Sequence, residues 1–490
     1  MPSLSPWSLA ALLGALAPAA LMAEPASTPS PVLNAQAQHA HWSGIGRLTM
    51  DNGRLCIATL IDSRDNPPTT DSGPAYILTS GHCVDTRNGR IGQDQPTHGS
   101  IAFNYFIDTQ EQRKTFALKR SLWNSMQGTD LALLELDATL DEVMSQGIMP
   151  LRMGSNPAKE KPVVVIGEPS SIGKGLRVAS CTEHPADFAL EHPWVWRNIR
   201  VNDCPGVSAG ASGSPVITPD DQQVIAVINS VTSDASAPCA TNSPCVNAQG
   251  SQDAPPRNIA MPLNRVLGCF KQGVADLALD SCQLLPGFSA TVTKRPRFLE
   301  KIASDEQGQY TPPGWNLHFT LDTPRYRFKT TTDPLACEEP TGYSGTIAAG
   351  EVPIDAPVGP EPGWHFLCLI GVNTPEQAPS VALMANSLTL ATELLPAKDV
   401  PFPDVTYAYQ DNGGVRVTWT RHPPDVVHYR VKQGPAAKID CDDPKGFGLL
   451  RHTHFTFEAS KLPLKICTRG EDIIRQQSAV RTDVIAPVAR

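Results

Sequence analysis

No basic run occurs in these 490 residues, and no cluster of Lys and Arg interleaved with aromatics. Lys and Arg number 40 against 49 Asp and Glu, a formal net charge of −9. That balance lacks the electrostatic footprint of a nucleic-acid partner or an anionic membrane surface. Metal-site spacing is missing as well: there is no CxxC pair and no Cys/His set with zinc spacing, so no metal and no cofactor is expected. His452 and His454 would share one face of a strand, which reads more simply as a solvated face. Long apolar runs are scarce. The stretch Leu9 to Ala17 is too short and too close to proline for a membrane span, and no other segment qualifies. Small residues follow it up to Ala23, so residues 1–23 read as a secretory signal peptide, although no Lys or Arg precedes the apolar core. Residues 24–40, rich in Pro, Ser, Ala and Gln, read as a disordered leader or a short pro-segment.

What remains is a soluble globular composition, 41% hydrophobic and 18% charged, long enough for two to four domains. Twelve cysteines, an even number, fit an oxidising destination, extracellular or periplasmic. Neighbours in sequence suggest the pairs Cys56–Cys83, Cys181–Cys204, Cys239–Cys245, Cys269–Cys282, Cys337–Cys368 and Cys441–Cys467. Over residues 41–285, short apolar runs such as Leu55 to Ile61, Ile101 to Phe106, Leu131 to Leu136 and Val163 to Ile166 alternate with Gly, Pro, Asn and Asp clusters. That is the rhythm of strands joined by turns.

The last two hundred residues contain a repeat. Tyr326-Arg327-Phe328-Lys329, Cys337 to Tyr343 and Leu367 to Gly371 return as Tyr429-Arg430-Val431-Lys432, Cys441 to Phe447 and Lys465 to Gly470. Period-2 strands precede each copy, so residues 286–395 and 396–490 are expected to be tandem β-sandwiches, similar to fibronectin type III or immunoglobulin-like modules. The Pro-rich stretch Leu395 to Pro403 reads as their linker.

Three strings carry chemistry: Thr79-Ser80-Gly81-His82-Cys83, Thr129-Asp130-Leu131-Ala132 and Gly210-Ala211-Ser212-Gly213-Ser214-Pro215. A serine hydroxyl is a poor nucleophile until an imidazole takes its proton, and a buried carboxylate holds that imidazole in the useful tautomer. The developing oxyanion needs backbone N–H donors aimed at it in advance. A base, a carboxylate and a hydroxyl are therefore all present.

In their order and flanking residues these strings resemble the chymotrypsin/trypsin family of serine endopeptidases. The resemblance implies two six-stranded β-barrels over residues 41–285, with His82 and Asp130 on the first and Ser212 on the second. It implies the N–H groups of Gly210 and Ser212 as the oxyanion hole. Cys56 and Cys83 match the family disulfide that clamps the histidine loop, worth roughly 3 kcal/mol in the chain-entropy model. Gly206 falls at the floor of the specificity pocket, and Ser230, Val231 and Thr232 fall where substrate backbone is bound as an added strand.

Two departures stand out: Ala211 replaces the aspartate that precedes the nucleophile in trypsin-like zymogens, and no Ile-Val-Gly-Gly start exists. The Gly-Ala-Ser-Gly-Ser-Pro wording is closer to bacterial secreted members similar to lysyl endopeptidases. Asp234 is a candidate carboxylate for a basic substrate side chain.

The resulting expectation is an all-β, secreted serine endopeptidase acting on protein or peptide, with C-terminal modules for substrate, extracellular matrix or cell surface. A catalytically silent adhesin on the same scaffold is the alternative. A second alternative, an α/β-hydrolase esterase using the Gly206-Val207-Ser208-Ala209-Gly210 elbow, conflicts with the Pro215 and the strand-like Val224 to Ile228 that follow.

Overall fold

The computed structural model describes residues 28–65, 73–169, 173–232, 239–247, 257–304, 307, 309–350 and 353–487. The expected signal peptide and Asp234 lie outside the described residues. Strands follow in the order β1 (Ser30–Pro31), β2 (Ile45–Met50), β3 (Leu55–Ile61), β4 (Pro74–Thr79), β5 (Ile91–Pro96), β6 (Gly99–Phe103), β7 (Lys114–Ser125), β8 (Leu131–Thr139), β9 (Lys161–Gly167), β10 (Arg177–Glu191), β11 (Trp194–Asn202), β12 (Pro215–Ile217), β13 (Val224–Val231), β14 (Cys245–Val246) and β15 (Asn258–Pro262). Antiparallel pairing closes β2-β3-β4-β8-β7-β6 into one six-stranded ring. A second ring, β9-β10-β11-β15-β13-β12, closes likewise. The described residues up to 262 thus form an all-β double barrel.

The apolar runs are continuous because several strands are buried on two sides. Leu48, Ile77, Phe103 and Leu134 fill the first barrel. Val165, Val216, Ile225 and Ala260 fill the second. A third cluster joins Ile45, Ile57, Trp123 and Leu133 of the first barrel to Ile166, Ile217, Val227 and Leu263 of the second. One strand such as β3 therefore serves its own barrel with one face and the seam between barrels with the other.

Of the segment 24–40, expected as a disordered leader or short pro-segment, the described residues 28–40 pack against the barrels. Ser30–Pro31 pairs with β10, Val32 is fully buried, and the N–H of Asn34 donates to Asp108 Oδ1 at 2.8 Å. Its polar composition hid a single apolar anchor.

All six cysteine pairs suggested by sequence neighbours are bonded as expected. Beyond the barrels lie two further sheet pairs. In the first, a five-stranded sheet built on Gly363–Val372 and Leu388–Leu395 faces the two-stranded sheet of Ala290–Lys294 and His318–Leu321 across a core of Trp315, Leu317, Leu367 and Leu369. In the second, a three-stranded sheet of Val405–Tyr409, Val415–Trp419 and His454–Phe457 faces a four-stranded one across Val417, Trp419, Tyr429 and Ile466. Two facing sheets over one core is the sandwich plan, and in the first module Leu299–Lys301 adds a parallel edge to the Leu388–Leu395 strand.

The repeated words occupy matching places. Lys329 pairs in register with Cys368, and Lys432 with Cys467. In each, the lysine ammonium lies over an aromatic ring, Tyr343 at 4.5 Å and Phe447 at 4.9 Å.

Trp419 is 1% exposed, and its Nε1–H donates to Thr468 Oγ1 at 3.1 Å. Trp419→Ala is expected to cost the last module about 3–5 kcal/mol. Calorimetry should show one transition moving down while that of the double barrel stays in place.

Candidate active site

Backbone bonds across the seam set the site. The N–H of Ile57, on β3, donates to the carbonyl of Ser212 at 2.8 Å. The N–H of Gly213 donates to Ile228 O on β13 at 2.8 Å, and Ser80 Oγ donates to that same oxygen at 2.8 Å. Gly213 has φ +85°, and a Cβ there would overlap the Ile57 carbonyl oxygen. Glycine is needed twice over, for conformation and for close approach.

His82 sits in the single turn Gly81–Cys83 that opens the loop after β4. Its own backbone N–H donates to Asp130 Oδ1 at 2.8 Å, and its ring Nδ1 lies 2.7 Å from Asp130 Oδ2. A carboxylate only accepts, so Nδ1 carries the hydrogen and Nε2 is left for the cleft. Asp130 is 1% exposed, just before β8. The disulfide Cys56–Cys83 and the bond from Arg54 Nη1 to His82 O, 2.8 Å, hold the turn from the other side. Cys56, His82 and Cys83 lie close enough to suggest a metal site, but both sulfurs are spent in the disulfide. Burial pushes the His82 imidazole down, yet the Asp130 charge and hydrogen bond, with Glu191 beyond, leave it above its ordinary value.

The loop before Ser212 turns through Gly206 at φ +71° and Gly210 at φ +92°. The N–H of Ala211 is taken by Ser208 O at 3.0 Å. Among the described residues no acceptor takes the N–H of Gly210 or Ser212.

His82, Asp130, Gly210, Ser212, Ser230 and Val231 line one cleft of about 540 Å³. Gly206 does not. The disulfide Cys181–Cys204 ties its turn to β10, and it lines a small separate hollow with Pro205, Ala211 and Ser214. Val207 lines the cleft instead. Thr232 is also outside it, because its N–H and Oγ1 are bound to the backbone of Arg257 at 2.8 and 2.6 Å.

Sequence reading missed Glu191, Trp194, Trp196 and Met126, which complete the walls. Glu191 is 6% exposed and accepts from Ser230 Oγ at 2.9 Å and Asn242 N–H at 2.7 Å. Burial pushes its carboxyl up, Asn242 and Ser230 oppose this, and the Asp130 charge adds to the rise. Only its place at the end of a long strand marked it, and that is no chemical signal. A larger hollow of about 690 Å³ beside Leu277, Gln283 and Val381 has Asp280 as its titratable side chain among the described residues, with no base–nucleophile pair.

Residues 59–227, which include His82, Asp130 and Ser212, match the trypsin-like peptidase domain family. Among solved structures, the chain is similar to a thermostable serine protease from an extremophilic microorganism, at 16% identity over 46% of this chain and 92% of that one, TM-score 0.31. It is also similar to protease Anisep from Arthrobacter nicotinovorans, at 15% identity over 48% and 92%, TM-score 0.29. Kallikrein-related peptidase 10 matches at 15% identity over 48% and 98%, TM-score 0.29. No curated protein matches. The stretch that matches the family model thus runs through both barrels of the fold. Among the described residues no helix is long and apolar enough to cross a membrane.

The His82 shift is directly measurable. Its ring proton titration by NMR should inflect above 6.5, and Asp130→Asn should drop the inflection by removing the main opposition to burial. A folded value above the unfolded one stabilises the chain fully below pH 6.5, and this contribution fades as pH rises through the folded value. An inflection unmoved by Asp130→Asn would refute the assignment.

Proposed function

We propose that this chain is a secreted serine endopeptidase that hydrolyses peptide bonds through an acyl-enzyme. The observation that carries the reading is the His82–Asp130 pair opening onto the same cleft as Ser212. His82 Nε2 takes the Ser212 Oγ proton as Oγ attacks the carbonyl carbon. Asp130 keeps the ring in its tautomer and stabilises the imidazolium. The N–H groups of Gly210 and Ser212 receive the oxyanion. His82 then protonates the leaving amine, and a water repeats the sequence to release the acid. Ser230 and Val231 supply the strand edge against which substrate backbone lies.

Activation need not follow the zymogen route. Ala211 is buried, and its N–H is held by Ser208 O, so the loop keeps its shape without a carboxylate before the nucleophile. Six disulfides suit an extracellular or periplasmic destination. The C-terminal sandwiches supply faces for substrate, extracellular matrix or cell surface. The silent-adhesin alternative needs a missing group or a closed cleft. The described cleft is open and holds all three side chains.

Ser212→Ala should abolish labelling by an active-site fluorophosphonate and lower casein turnover by on the order of a millionfold. Ser208→Ala should leave both in place. Loss on Ser208→Ala alone would favour the esterase, and a wild-type chain that never labels would leave the adhesin.

A further inference from the structure

One buried arginine connects the cleft to the first sandwich module. Arg197, on β11 beside the cleft-lining Trp196, has a fully buried side chain. Its backbone N–H donates to Gly128 O at 3.0 Å, two residues before Asp130. Its guanidinium reaches the other way, into the module. Nε donates to Glu338 Oε1 at 2.9 Å, Nη2 to Ala385 O at 3.0 Å and Met384 O at 3.3 Å, and Nη1 to Thr389 Oγ1.

The contact is close on both sides. A Cβ on Gly128, which has φ +72°, would lie 2.6 Å from Arg197 Nη2 and 2.9 Å from Ala385 O. Gln127, wholly buried, donates through Nε2 to Asn386 O. Asn386 Nδ2 in turn donates to Leu284 O at 2.8 Å and Pro286 O at 3.0 Å.

A second, apolar contact grips the β10–β11 hairpin. Leu190 and Val195 share a buried cluster with Phe366 and Ala391 of the module. Phe188 meets Phe366 edge-on at 5.6 Å, and the His192 ring meets Phe298 edge-on at 5.0 Å. Glu191 and Trp194, on either side of that tip, line the cleft.

We propose that residues 286–395 are a positioning element of the peptidase site, with Arg197 as the positioning residue. Through it the module sets the Met126–Asp130 segment on one wall and the Glu191–Trp194 hairpin on the other. The face of the module turned to the barrels is thus occupied by the chain itself. This rests on the peptidase reading. A group fixed by charge-assisted bonds on several sides holds its neighbours to the tolerance that catalysis needs.

The test uses the full chain. Arg197→Gln, folded by near-ultraviolet circular dichroism, should lower kcat/KM on extended peptides by about tenfold to a hundredfold. Its acid limb should move to lower pH, because a loosened Asp130 no longer raises the His82 value. Arg197→Lys keeps the charge without the fork and should recover only part. Should Arg197→Gln fail to fold, Glu338→Gln, on a side chain 31% exposed, should show a smaller loss in the same direction. Arg430→Gln breaks the ion pair with Glu471, 2.6 Å, within the last module, and should leave kinetics and pH profile unchanged. Folded Arg197→Gln with wild-type kinetics, or an equal loss in Arg430→Gln, would overturn the proposal. A wild-type chain that no fluorophosphonate labels fails the peptidase reading itself, and this proposal with it.

Discussion

The bond from the Ile57 amide to the Ser212 carbonyl is the constraint on which the site depends. It joins the strand that carries Cys56 to the residue expected to attack, across the seam of two separately closed barrels. The absence of a side chain at Gly213 lets these backbones meet. The apolar cluster shared by both barrels, with Ile57 and Val227 in it, holds the seam dry. A hydrogen bond there is shielded from competing water and so keeps its direction.

Around that seam, two buried carboxylates are held by hydrogen bonds at both oxygens. Asp130 spends both oxygens on one histidine. Glu191 spends both on Ser230 and Asn242. An unpaired carboxylate in such a place would be expelled or protonated. Asp130 faces a group that can become a cation, whereas Glu191 faces neutral donors, and burial pushes the Glu191 carboxyl toward its protonated form.

The modules extend the same economy of fixed donors. In both, a lysine on one strand lies over an aromatic ring and caps carbonyls of the loop that carries the first cysteine: Glu339 and Thr341 in one, Asp443 in the other. The first module additionally merges its apolar surface with the β10–β11 hairpin, so a boundary at residue 285 divides the chain in sequence more cleanly than in space.

Much of this was legible in the residues. Runs such as Leu55 to Ile61, set between turn clusters, read as strands, and all six cysteine pairs followed from neighbours along the chain. His82, Asp130 and Ser212 stood out because their flanking words are local. Three things were not local. Val32 anchors a stretch whose composition reads as loose. Gly206 is drawn aside by a disulfide to a distant strand. Glu191 enters the cleft only because β10 is fifteen residues long and ends against Ser230. Sequence alone determined which groups are available and which segments extend, since both depend on side-chain chemistry and short-range pattern. Only the tertiary structure decided which of them share a wall, because that depends on strand length, register and the packing of residues hundreds apart.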